Sequence, residues 1–173
     1  MAKTQKRIRP QRTKKTNHPV KDSIQPTIHS YEDWREYMPQ WLNEIRISVD
    51  QGDVRKAKEL LSQEGIQEKI IELKIGESFY FALYEVAIQC FTVGLNEKAL
   101  EYCFKALKIR KSGGVYNQIG LIYRAINKCT LAIENLSKAK QLQPKDVNIS
   151  NNLALCLMKV GRAPEAIELL KEA

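Results

Sequence analysis

The chain has 173 residues, 43% of them hydrophobic, enough for one domain with a sizeable core. Its formal charge of +8 sets 28 Lys and Arg against 20 Asp and Glu, but residues 1–21 hold eight of those cations and no acid. The other 20 cations balance the 20 acids, so the basic character belongs to an N-terminal arm, and a uniformly basic body that coats nucleic acid is excluded.

The arm, 1–29, carries Lys3, Lys6, Arg7, Arg9, Arg12, Lys14, Lys15 and Lys21, with Ile8 and Val20 nearly alone as apolar side chains and Pro10, Pro19 and Pro26 interspersed. Too little apolar surface is available to offset the entropy of ordering, so a disordered basic arm is expected. No apolar run follows the early cations, which argues against a secretory signal, and the amphipathic face of a mitochondrial presequence is missing. Nowhere does a long uncharged apolar stretch suggest a membrane span, so a cytoplasmic location is expected. Contact of the arm with nucleic acid or an anionic surface would release counterions. Without an aromatic side chain to stack on a base it would be weak and non-specific. The alternative is a solvated tail.

Residues 30–78 read as N-terminal helices. Ser30 followed by Asp33 resembles a capping box, which starts a helix near Tyr31. Pro39 interrupts that helix or opens the next. Trp41, Gly52, Ala57 and Leu61 have the offsets of aromatic, turn and small residue that recur downstream, which predicts a degenerate helical pair. Gly52 and Gly94 lie 42 residues apart, so an insert around Gly65 to Lys74 must form an extra turn or short helix.

From residue 79 onward one pattern returns. Gly94, Ala99 and Ala106 recur 33 residues later as Asn127, Ala132 and Ala139, and 34 residues later again as Gly161, Ala166 and Ala173. A fixed period of this size marks a stack of like supersecondary units. Within one unit, Tyr116, Ile119, Gly120 and Tyr123 fall on one helical face. Asn127 and Lys128 break the pattern, a second helix runs through Ala132, Ile133, Leu136 and Ala139, and Pro144 stops it. Small residues at fixed places let two antiparallel helices joined by a short turn approach closely. The chain is therefore expected to be all-α: a disordered arm, an N-terminal pair, and three units at about 80–112, 113–146 and 147–173.

This pattern resembles the tetratricopeptide repeat, a unit of about 34 residues with an aromatic, a Leu-Gly pair, a Tyr, a turn Gly, two alanines and a closing Pro. Tyr116, Ile119-Gly120, Tyr123, Ala132, Ala139 and Pro144 carry the match most fully. The resemblance implies a right-handed superhelical stack of antiparallel helix pairs, with the first helix of each unit lining a concave groove. Phe81, Tyr84, Ile88 and Phe91 would face that groove in the first unit, and Asn117, Leu121 and Arg124 in the second. The third would contribute Asn148, Asn151, Asn152, Leu155, Met158 and Lys159. Ile88, Leu121 and Leu155 form an apolar spine, and Asn117, Asn151 and Asn152 present amides that both donate and accept. The expected function is a non-enzymatic scaffold or adaptor that holds a peptide or helix of another protein in the groove. An adaptor that works through the basic arm is the alternative. A small secretion-chaperone-like protein, similar in layout, is a lesser one.

Nothing in the sequence points to chemistry. No phosphate loop or nucleophile–base pairing occurs, and the only histidines, His18 and His29, lie in the arm. Glu85, Glu97 and Glu134 read as solvated charges on helix surfaces. Cys90, Cys103, Cys129 and Cys156 form no CxxC and read as small buried hydrophobes, so neither a metal nor another cofactor is expected. No polar capping helix follows the last unit in this sequence, which is expected to leave Leu169 or Leu170 partly uncovered; either the molecule self-associates through that helix or the natural chain continues beyond it.

Overall fold

The computed structural model describes residues 30–63, 65–73 and 76–172. The arm over 1–29, with its eight cations and its expected disorder, lies outside the described residues, as does Ala173. Among the described residues the chain is all-α, with ten helices and no strand. They are α1 (Tyr31–Glu36), α2 (Gln40–Asp50), α3 (Val54–Ser62), α4 (Ile66–Glu72), α5 (Gly76–Thr92), α6 (Asn96–Ile109), α7 (Gly113–Ala125), α8 (Cys129–Leu142), α9 (Val147–Lys159) and α10 (Ala163–Lys171).

Helix α1 starts where its capping box places it. Ser30 Oγ accepts from the Asp33 N–H at 3.0 Å, and Asp33 Oδ2 accepts from the Ser30 N–H at 3.1 Å. Pro39 occupies the N-cap of α2, where its missing N–H leaves no donor unpaired. The α2–α3, α5–α6, α7–α8 and α9–α10 pairs are joined by the same three-residue turn. In each, the last turn residue donates its N–H to a carbonyl five residues back: Asp53 to Ser48, Leu95 to Cys90, Lys128 to Tyr123 and Arg162 to Leu157, at 2.8–2.9 Å. This closure requires a left-handed residue in the middle of the turn. Gly52, Gly94 and Gly161 supply it, and Asn127 does so at φ 61°. The N-terminal pair thus carries the repeat's own turn, and α4 fills the insert between it and α5, burying Ile66 and Ile70.

Packing follows the small residues. Ala57, Ala99, Ala132 and Ala166, one on the second helix of each pair, are fully buried. Gly120 on α7 lies so close to α8 that a Cβ there would stand 2.5 Å from Leu136 Cγ. Each second helix then packs on the first helix of the next pair, α6 on α7 and α8 on α9. The core is continuous from Trp34 to Ile122, a smaller cluster surrounds Leu136, Leu153 and Leu157, and Tyr123 packs against both. Cys90, Cys103 and Cys156 are buried and Cys129 half-buried. Burial pushes the thiols of Cys90 and Cys103 up to about 12, which holds them protonated and inert.

The last pair differs from the others in what covers it. Cys103 and Leu136 occupy the place in their units that Leu170 holds in the third; both are fully buried, whereas Leu170 is 42% exposed. Ile167, beside it, is also exposed.

Candidate peptide-binding groove

Helices α5, α7 and α9 lie side by side, each in contact with the next, so their outward faces form one surface. Tyr84, Ile88 and Phe91 on α5 are half-buried there, as are Asn117, Leu121 and Arg124 on α7. On α9, Asn152 is half-buried, while Asn148, Asn151, Leu155, Met158 and Lys159 are exposed. Leu155 and Met158 leave about half of their surface in solvent, at 50% and 47%.

Two adjustments to the sequence reading follow from the contacts. First, α1 lies across the start of this surface. The Tyr31 ring centroid sits 5.8 Å from that of Phe81 and 5.6 Å from that of Tyr84, and Trp34 sits 6.0 Å from Phe81. Phe81, expected to face the groove, is instead buried beneath α1. Tyr31 and Trp34 fall three apart on a six-residue helix, and that apolar pair was the available signal that α1 must dock on something. Second, Glu85 is not a solvated charge. It is 2% exposed, and its carboxylate accepts from the Tyr31 hydroxyl and, at 2.6 Å, from Gln89 Nε2. Burial pushes its carboxyl above the ordinary range, against the opposing pull of the Gln89 donor. Glu97 and Glu134 are exposed as expected.

Further along, the amides are joined across helices. Asn152 Nδ2 on α9 donates to Asn117 Oδ1 on α7 at 3.1 Å, and Arg124 Nη1 on α7 donates to Asn152 Oδ1 at 3.4 Å. This chain ties α7 to α9 and holds Arg124 over the seam between them. The Asn117 amide donors and the exposed Asn151 amide are not used in it. Gln118, one residue on from Asn117, is 7% exposed, and its Nε2 makes no hydrogen bond among the described residues. Burial raises the Cys156 thiol on α9, against the opposing pull of the Arg124 and Lys159 charges. The groove therefore has an aromatic end closed by α1 and an open stretch on α7 and α9. That stretch combines apolar side chains, amides and two cations.

Among the described residues no cluster of His, Cys, Asp and Glu is placed to hold a metal ion, and no helix is long and apolar enough to cross a membrane. The tetratricopeptide repeat family model matches residues 113–146, which are α7, its turn, α8 and the segment leading to α9. Residues 113–146 form a tetratricopeptide repeat. The fold around that repeat is the superhelical helix-pair stack of tetratricopeptide-repeat proteins. It is similar to the crystal structure of MamA, at 18% identity and a TM-score of 0.58 over 82% of this chain and 81% of that one. It is also similar to the nearly identical TPR-like repeats of a Podosopora anserina kinesin light chain, at 20% identity and a TM-score of 0.63 over 84% and 74%. A second MamA structure, MamA AMB-1, matches at 15% identity and a TM-score of 0.57 over 82% and 78%. No curated protein sequence matches the chain. The tetratricopeptide-repeat fold is in general a scaffold for contacts between proteins and seldom an enzyme.

Proposed function

We propose that this tetratricopeptide-repeat chain is a non-enzymatic scaffold that holds a segment of a partner protein in the open stretch of its groove, across α7 and α9. The observation that carries this reading is the exposure of Leu155 and Met158 next to the Asn117–Asn152–Arg124 chain of hydrogen bonds. Apolar side chains half in water, set among oriented amides, offer a guest both area to bury and hydrogen bonds to fix its register. Ile88 and Leu121 continue the apolar line toward α5, where Tyr84 and Phe91 border it. The test is a quantitative pull-down with the wild-type chain and with Leu121→Lys/Asn151→Ala. Loss of partners from the variant, with helicity unchanged, supports the reading; an unchanged partner profile refutes it.

A second reading rests on the exposed Leu170 and Ile167 of α10; the place of Leu170 is buried in the earlier units and that of Ile167 is half-buried there. Self-association through α10 would cover them. Light scattering should then show a dimer that Leu170→Glu converts to monomer; a monomeric wild type at high concentration rules this reading out.

A further inference from the structure

The charge and shape of the groove narrow what its guest can be. Helices α7 and α9, which form the open stretch, contain no Asp or Glu over Gly113–Ala125 and Val147–Lys159, and they carry Arg124 and Lys159. Of the carboxylates outside α1, Glu85 and Asp146 come near this surface, and both are engaged elsewhere. Glu85 is buried under Tyr31 and Gln89, and Asp146 Oδ1 accepts from the N–H groups of Asn148 and Ile149 at the start of α9. The open stretch thus presents positive charge beside apolar side chains, with no carboxylate of its own helices to neutralise it.

The same surface already holds one occupant. Helix α1, with sequence YEDWRE, presses Tyr31 and Trp34 onto the groove positions of α5 and leaves Glu32, Asp33 and Glu36 exposed. It is a short helix with two aromatic anchors, three carboxylates and one cation, Arg35. A guest on α7 and α9 would lie beside it, continuing an interface that exists.

We infer that the partner segment is an acidic helix with aromatic or aliphatic anchors. Its apolar side chains would lie on Leu121, Leu155 and Met158, and its carboxylates would meet Arg124 and Lys159. Asn152 positions Arg124 for this, because its Oδ1 takes one of the five guanidinium N–H groups and so restrains the side chain at this surface. This inference rests on the groove reading above and adds the chemistry of the guest to it.

The test uses the full chain and a displayed library of random helical peptides, selected at about 150 mM salt so that distant charges are screened. The most enriched peptide is then labelled and titrated by fluorescence anisotropy against wild type, Arg124→Glu/Lys159→Glu and Leu155→Asp, each checked by circular dichroism. The residues 1–21 cations are the same in all three proteins, so differences read the groove. Enriched peptides with an excess of Asp and Glu and at least one aromatic or aliphatic anchor are expected, with both variants weakening binding about tenfold or more. If Leu155→Asp weakens binding while the charge reversal leaves it within about twofold, or if the enriched peptides are neutral or basic, the groove stands and the acidic guest is wrong. If Leu155→Asp changes nothing, the groove reading itself falls.

Discussion

The Tyr31 hydroxyl donates to the Glu85 carboxylate, joining α1 to α5 across 54 residues of sequence. A buried carboxylate with its donors removed is costly, and this bond is what a docked α1 supplies. Tyr31→Phe keeps the ring on Phe81 and Tyr84 but leaves Glu85 with Gln89 as its remaining donor. The expected loss is about 1–3 kcal/mol in urea unfolding. A change below the error of that measurement would mean that the bond contributes nothing net.

Glu85 also sets a pH dependence. Its folded carboxyl lies above the ordinary value because it is buried, so the folded chain binds a proton more readily than the unfolded chain. The stability this provides is complete below the unfolded pKa near 4.5 and is lost as pH rises through the raised folded value. Thermal unfolding of wild type should therefore show a downward slope just above pH 4.5 that Glu85→Gln removes. An identical slope in the two proteins would assign it to other groups.

The Gly120–Leu136 contact predicts a loss where helix propensity predicts a gain. Alanine in place of a mid-helix glycine is worth about 1 kcal/mol. At Gly120 the new Cβ would meet Leu136 Cγ at 2.5 Å and the Ala132 carbonyl at 3.3 Å, an overpacking that costs about 1–3 kcal/mol. Gly120→Ala should destabilise, and Leu136→Ala in the same chain should relieve part of that loss, read as a coupling in a double-mutant cycle. Additive effects would contradict the close approach. Ala132→Leu, at the same crossing, should cost a similar amount, about 1–3 kcal/mol.

Equivalent leucines should differ by position along the stack. Leu136→Ala removes a fully buried side chain and should cost about 2–5 kcal/mol. Leu170→Ala, at the uncovered end, should cost about 1 kcal/mol or less in the monomer. Equal losses would show that α10 is covered in solution.

The fold was readable wherever the physics is local. A left-handed turn residue, a capping box and an alanine at a helix crossing each mark the sequence at the place where they act. For that reason Ser30 and Asp33, the Gly52, Gly94, Asn127 and Gly161 turns, and the short helix between Gly65 and Lys74 could be placed in advance. What stayed hidden depends on contacts between distant segments. The resemblance to the repeat family put Phe81 on the groove face, but it carries no information that Tyr31 and Trp34 cover that residue. The same holds for Glu85, one of whose two hydrogen-bond donors, Tyr31, comes from α1. It also holds for Asn117 and Asn152, whose amides were expected to await a guest and instead partly engage one another across 35 residues.

The central claim is that partner proteins bind across α7 and α9, and backbone amide NMR of the chain with an enriched peptide tests it most directly. Shifts concentrated at Asn117, Leu121, Asn151, Leu155 and Met158, with α6 and α8 unmoved, are the result expected here. Shifts confined to α6 and α8, or to residues 1–29, would contradict it.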